Sequence, residues 1–215
     1  NGVISNILLY AMDIQGYRNL MRISSRYKIT NSPIDIEDLR KCSLGVLAIT
    51  PGIDNIIYTY LKNQNLKNLL EHYNILNSVF CDLYCGITLT TITDRENLKY
   101  YYDTLKRQNI KCVSLQPVYF QNPNDLDAYE VLKAISNNGN LQKLTESETN
   151  SYFLSNEEME LLFKQYPELL ENTNLISNKC NVEIEFGTFQ LPKYDENIDA
   201  NLYLYELAMA GLKKR

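Results

Sequence analysis

The chain contains no tryptophan and a single histidine, His72, in 215 residues. Centres that activate water on zinc, manganese or iron usually take several imidazoles, because neutral nitrogen ligands suit those ions. One histidine therefore excludes a histidine-rich metal centre. Glycine is sparse, with eight residues and no phosphate-cradling glycine-rich loop, which removes dinucleotide and P-loop readings. No apolar run approaches the roughly 20 residues that cross a bilayer. Cations are outnumbered, 21 Lys and Arg against 26 Asp and Glu for a formal net charge of -5. That balance argues against a chain whose main task is to neutralise phosphates, although a local basic patch can survive inside an acidic whole. A basic leader followed by a hydrophobic region and a cleavage site is also missing, and the cysteine count is odd at five. A reduced, cytoplasmic setting is the expectation.

What is present is ordinary globular composition, 45% apolar and 22% charged, enough for one sizeable core or for one domain with an appendage. Residues 7–11 read as a strand, followed by a turn at Asp13 and Gly16 and helical periodicity at Leu20 and Ile23. Residues 35–40 give a short helix. Residues 45–50 form a continuous apolar run of the kind buried on both faces of a parallel sheet, ended by Pro51-Gly52. Helical patterns return after a cap at Asp54, with Ile57, Tyr60 and Leu61 on one face, and again over 66–76. Strands are expected at 79–85 and 110–118, separated by a helix over 94–108 with Asp94 and Glu96 at its start. This alternation at short connections predicts an α/β chain with a mostly parallel sheet, or a piece of a β/α barrel.

Further on, residues 137–150 are polar, glycine-bearing and without period, and read as a loop or linker. In 167–194, Leu169, Thr173, Ile176 and Cys180 recur at four- and three-residue steps and line one helical face. The period then changes, with Val182, Ile184 and Phe186 alternating with polar residues, which predicts a half-buried strand closed by Gly187. A last helix carries a stripe of Leu204, Leu207, Ala208, Gly211 and Leu212, and Lys213-Lys214-Arg215 at its end complements the helix dipole.

Three other constellations read as structural. Cys81 and Cys85 share a face if the strand at 79–85 forms, and are expected to be buried thiols rather than half of a zinc site. The run Tyr100-Tyr101-Tyr102 lacks the interleaved Arg or Gly of a base-stacking platform. His72 sits on a helical stretch in Leu-Leu-Glu-His-Tyr-Asn, in a solvated or capping position.

Several blocks carry a resemblance. Glu-Asn-Thr at 171–173, Ile176, Cys-Asn-Val-Glu-Ile at 180–184 and Leu-Pro-Lys-Tyr at 191–194 resemble the junction between the PHP domain and the polymerase core in the alpha subunit of bacterial DNA polymerase III. Asn6 to Leu20, with its Gly16-Tyr-x-Asn19-Leu20, is similar to the family's first strand and helix start. Gly-Val-Leu-Ala-Ile-Thr at 45–50, Asp-Leu-Asp-Ala-Tyr-Glu-Val-Leu at 125–132 and Tyr-Phe-Leu-Ser-Asn-Glu-Glu-Met at 152–159 resemble further family blocks in the same order. The resemblance covers residues 4–215. It implies a partial PHP-type β/α barrel over 1–136, a linker at 137–150, and a mostly helical junction at 151–215 that buries its stripe against a different surface. If the barrel begins before Asn1, the strand at 7–11 has an open edge.

PHP domains that bind metal hold a trinuclear cluster with His, Asp, Glu and Cys, and here the matching positions depart from that set. The family's His before the first strand is Asn6, and its Cys after the Ser-Gly turn is Gly52. In its Asn-Asp-Val-His-Tyr block the aspartate is Pro117 and the histidine Tyr119. The family's earlier His-x-His and Thr-Asp-His motifs fall before Asn1. The expectation is therefore no metal, no cofactor and no catalytic residue in this chain, with magnesium confined to the polymerase core of a parent enzyme that performs template-directed DNA synthesis. Expected partners are the remainder of the alpha subunit and the proofreading exonuclease subunit, with DNA reached only through the parent and no membrane contact. Two alternatives stay open: a metal-dependent PHP phosphoesterase or proofreading exonuclease, and a free-standing binding module.

Overall fold

The computed structural model describes residues 4–52, 55–139, 143–187, 195 and 197–214. Among these, the chain forms two compact units, residues 1–183 and 184–215. The first is an α/β unit built on one mixed sheet in the order β1-β2-β3-β4, comprising Leu8–Ala11, Val46–Thr50, Leu83–Thr88 and Cys112–Leu115. The sheet is open. β2, β3 and β4 run parallel, as expected, but β1 pairs antiparallel with β2, with Leu8 opposite Ile49 and Ala11 opposite Val46. The excursion through α1 (Ile14–Thr30) and α2 (Ile36–Lys41) returns the chain to the end of β1 that it left, where the Met12 N–H donates to the Gly45 carbonyl at 2.8 Å. Among the described residues β1 pairs only with β2, so its outer edge is open.

Caps set the helix starts. Asp13 accepts from the Gly16 N–H and Asp35 from the Asp38 N–H, each at 2.8 Å. The expected cap Asp54 lies outside the described residues; Asn55 caps α3 (Ile56–Lys62) by accepting from Ile57. Thr91 caps α5 (Ile92–Arg107), so that helix begins two residues before the expected start, with Asp94 as its third residue.

β2 is buried on both faces because its odd and even residues enter different cores. Val46 and Ala48 join Leu83, Cys85, Ile87 and Cys112 beneath α3, α4 (Leu66–Asn77) and α5, whereas Leu47 and Ile49 join Tyr84, Val113 and Ile176. The expected strand at 79–85 is displaced. Val79 and Phe80 belong to the turn that follows α4, both N–H groups reaching the Leu76 carbonyl, and the strand starts at Leu83. An apolar run assembled from a helix end and a strand has no internal mark of the join. Cys81 is consequently outside the strand and exposed, while Cys85 is buried, so the two thiols do not share a face. β4 is likewise shorter than the expected 110–118, since the Ile110 N–H completes the turn after α5 on the Leu105 carbonyl.

Within 137–150 lies a short helix, α7 (Glu146–Thr149), after α6 (Leu126–Ser136) and before α8 (Asn156–Leu162). The predicted helix carrying Leu169, Thr173, Ile176 and Cys180 is α9 (Glu168–Lys179); Leu169 and Ile176 are buried and Cys180 half-buried, though not on a separate surface. α9 covers the outer edge of β4. Leu169 enters one core and Ile176 the other, Asn172 Nδ2 donates to the Cys112 carbonyl at 2.7 Å, and Thr173 Oγ1 meets Ser114 Oγ at 3.1 Å. Residues 151–183 thus pack with the sheet, and the division of the chain falls after Glu183. Ile176→Ala is expected to cost roughly 2 to 4 kcal/mol, read from urea denaturation; a loss below about 0.5 kcal/mol marks an exposed position.

Ion pairs pin both ends of α9. Glu168 accepts from Lys106 and from the Tyr102 hydroxyl, and Asp82 accepts from Lys179 and Lys111. The lysine ammonium groups, Lys106 first for Glu168 and Lys179 first for Asp82, hold these carboxyls below their ordinary values of 4.5 and 3.8. A depressed carboxylate contributes stability that is present above its ordinary pKa and is lost as pH falls through the lowered folded value. Acid should therefore loosen α9 below about pH 4, and a Glu168→Gln, Asp82→Asn double variant should flatten that limb of the stability curve. An unchanged limb in urea titrations would show that other carboxylates govern it.

The expected strand at 182–186 does not form. Val182 is half-buried and residues 183–186 are exposed, Phe186 at 88%, with no ladder partner among the described residues. Alternation marks a strand only where a sheet edge receives it. Residues 191–194 of the resemblance lie outside the described residues. In the second unit, α10 (Ala200–Lys213) carries its apolar residues Leu204, Leu207 and Leu212 exposed, and Lys213 stands in its last turn; Arg215 is outside the described residues.

Candidate functional site

The topology defines one rim. Because β1 is antiparallel to its neighbours, the segment entering β1 lies at the same end as the segments leaving β2, β3 and β4. Ligands of open α/β sheets bind at the carboxyl ends of the strands. Asn6, Gly52, Pro117 and Tyr119 all fall on this rim. The Asn6 carbonyl accepts from Asn55 Nδ2 at 2.6 Å, and Asn55 and Tyr119 border the same open cleft of about 590 Å³, together with Ile4, Tyr58 and Glu148. Tyr119 stacks on Tyr129 with ring planes 3° apart.

Gly52 is fixed by packing. A Cβ at this position would stand 2.3 Å from Thr88 Oγ1 and 2.7 Å from the Thr88 nitrogen, so no cysteine fits there while the end of β3 keeps its place. Pro117 offers no side-chain ligand atom, and Asn6 offers only an amide oxygen. Among the described residues no three His, Cys, Asp or Glu side chains come together in a way that could hold a metal ion. The residues at the rim do not fit the trinuclear cluster of the PHP pattern.

Instead the chain's own segment 145–153 lies across the rim. The Asn150 side chain donates to the Thr90 carbonyl at 2.7 Å, and its backbone carbonyl accepts from Gln116 Nε2 at 2.7 Å. Ser147 Oγ meets Thr90 Oγ1 at 2.8 Å, and Glu146 accepts from the Ile92 N–H at the start of α5. The Ser151 carbonyl accepts from the Tyr119 N–H at 2.8 Å, and Phe120 forms a bridge with Tyr152. Thr90 and Ser151 are fully buried beneath these contacts. Glu148 is engaged by Lys133 and by the Thr145 cap, and its carboxyl lies below the ordinary range chiefly through the lysine.

The titratable groups nearby are similarly committed. Asp94, buried at the third position of α5, accepts hydrogen bonds from Tyr58 and from Thr91 Oγ1. Burial first, then the Asp94 hydrogen bond, holds the Tyr58 phenol far above its usual range. Burial pushes the Cys85 thiol up to about 11, so it stays protonated at neutral pH and is a poor nucleophile. His72 is remote from this chemistry in its contacts: Nδ1 meets the Asn68 carbonyl at 3.0 Å and its ring lies against Tyr60.

Sequence reading missed Asn55, Tyr58, Asp94, Ser147 and Asn150 as rim residues. One signal was available: Thr145-Glu-Ser-Glu148 is a capping box, the Thr145 hydroxyl accepting from the Glu148 N–H and the Glu148 carboxylate from the Thr145 N–H, inside a stretch read as periodless. The others form contacts across about 35 to 60 residues, beyond any local pattern.

No family model matches the chain. Curated relatives do. The DNA polymerase III alpha subunit of Halalkalibacterium halodurans is 26% identical over 98% of this chain, that of Aquifex aeolicus 27% over 98%, and that of Pseudomonas aeruginosa 28% over 100%. In each case the match spans only 19 to 20% of the relative. From one end to the other, this chain is similar to a single segment of DNA polymerase III alpha subunits.

Proposed function

We propose that the chain is the non-catalytic, PHP-type portion of a DNA polymerase III alpha polypeptide, a partial barrel that has lost its metal site and leads toward a polymerase core. The observation that carries this reading is the donor set of the rim. Glycine, proline, an amide and a stacked tyrosine stand where the resemblance places ligands, and segment 145–153 lies across the same rim through hydrogen bonds with Thr90, Ile92, Gln116 and Tyr119. Metal-assisted hydrolysis needs a cation held by several ligands with a place for water, since only a bound cation brings water's pKa near neutrality.

The role is then architectural: packing beside the polymerase core of the same polypeptide, in the cytoplasm. The exposed apolar residues of α10 support a covering polypeptide, because a helix with Leu204, Leu207 and Leu212 in water leaves its burial unused. The remainder of the alpha subunit is the first candidate for that cover and the proofreading exonuclease subunit the second. DNA synthesis, with its carboxylate-bound magnesium, belongs to the parent. Hydrolysis of a phosphate ester and shortening of single-stranded DNA from its 3′ end should both stay at background with manganese, zinc, iron or magnesium added. Hydrolysis that a chelator abolishes would favour the phosphoesterase or exonuclease alternative.

A further inference from the structure

In an acidic chain, α1 stands out as a helix with four cations, Arg18, Arg22, Arg26 and Lys28, and no acidic residue. Its inner face is fixed by Gly16 and Asn19, which are buried. Its outer face is exposed and carries Arg18, Arg22 and Arg26 at successive four-residue steps. Each step advances about 6 Å along the axis and turns by about 40°, so the three guanidinium groups form a gently winding row. That spacing is comparable with the distance between neighbouring phosphates along a nucleic-acid strand. An open groove of about 610 Å³ runs along this row, with Met21, Ser25 and Ile29 between the arginines and Ile29 83% exposed.

The charges are largely uncommitted. Arg22 donates to Asn19, which is neutral, and among the described residues neither Arg18 nor Arg22 forms an ion pair with a carboxylate. Arg26 is ion-paired with Asp38 through Nε, and among the described residues no hydrogen bond from its terminal nitrogens is found. Guanidinium forks match phosphate oxygens two at a time, which ammonium groups do not. The Ser25 hydroxyl adds a donor of the kind that positions a backbone, and the apolar residues between the cations suit sugar and base faces. A lipid surface fits less well, because Leu20 and Ile23 of this helix are already packed on the core and the face in water carries the arginine row with only Met21 and Ile29 among it.

We propose that the outer face of α1 binds the phosphate backbone of a nucleic-acid strand, Arg18, Arg22 and Arg26 each taking a phosphate. The site stands on α1 alone, so the fate of the rim reading leaves it untouched. It is tested by fluorescence anisotropy of a labelled single-stranded oligonucleotide with the whole chain, as salt is raised. Three phosphate contacts on a single strand predict a log–log salt slope of about −2. Arg18→Gln, Arg22→Gln should reduce that slope by about 1.4 and weaken low-salt binding by roughly tenfold or more, with the thermal midpoint unchanged because both side chains are exposed. Lys67→Gln, Lys164→Gln, the same change of charge elsewhere on the surface, should leave binding within about twofold. Absent binding at low salt, or equal weakening by the two pairs, would overturn the proposal. So would equal competition by polyglutamate or by anionic vesicles at matched charge, the first assigning the face to an acidic protein and the second to a membrane.

Discussion

Gly16→Ala is expected to destabilise the chain by about 3 kcal/mol or more, enough to unfold a large fraction of a marginally stable protein at ambient temperature. A Cβ on Gly16 would stand 1.8 Å from the Gly45 carbonyl oxygen and 2.6 Å from its carbon. Both are backbone atoms, so no side chain can rotate out of the way. Gly45 itself has φ +72, a left-handed conformation that glycine adopts without the Cβ penalty. The turn before β2 is further held by the buried Asn19, whose Nδ2 donates to the Leu44 carbonyl at 2.8 Å. Gly16 and Asn19 both belong to the Gly16-Tyr-x-Asn19-Leu20 block, and one turn accounts for both: the first lets α1 approach, the second bonds the carbonyl it meets. Equilibrium urea unfolding measures the cost, and a change under about 1 kcal/mol would show that α1 and the turn can part without penalty.

Phe163→Ala should cost about 3 to 5 kcal/mol. Phe163 is 0% exposed and lies in the larger core with Leu69, Leu98, Tyr101 and Leu169. It comes from the stretch 151–183, just after α8, so the size of the effect reports whether this stretch is structural to the sheet unit or an appendage. A single cooperative transition at lower denaturant is the expected outcome. A second transition for the C-terminal stretch, with the sheet unit unaffected, would contradict the packing of α9 and Phe163 on the sheet.

The run 45–50 reads as a doubly buried strand because every residue is apolar or small, and β2 is fully buried. The stripe Leu169, Thr173, Ile176 and Cys180 reads as a helix face because the period is a property of the segment itself. Its destination does not follow from the period: the same stripe serves a separate surface or the edge of β4. The strand at 182–186 failed for the complementary reason, since a strand depends on a neighbour that no local pattern supplies. At the rim, the substituted positions Asn6, Gly52, Pro117 and Tyr119 were identified from the family resemblance, and the strand directions bring them to one end. The segment across them was not legible, because Ser147, Asn150 and Ser151 reach Thr90, Gln116 and Tyr119 through contacts set by the folded chain.

On the reading proposed above, the rim is held by hydrogen bonds among the chain's own groups and takes no metal cluster. Calorimetric titration of the purified chain with zinc and with manganese, followed by elemental analysis after desalting, tests it most directly. The expected result is no saturable binding at micromolar concentrations and no stoichiometric metal retained. Two or three transition-metal ions bound per chain and removed by a chelator would contradict it.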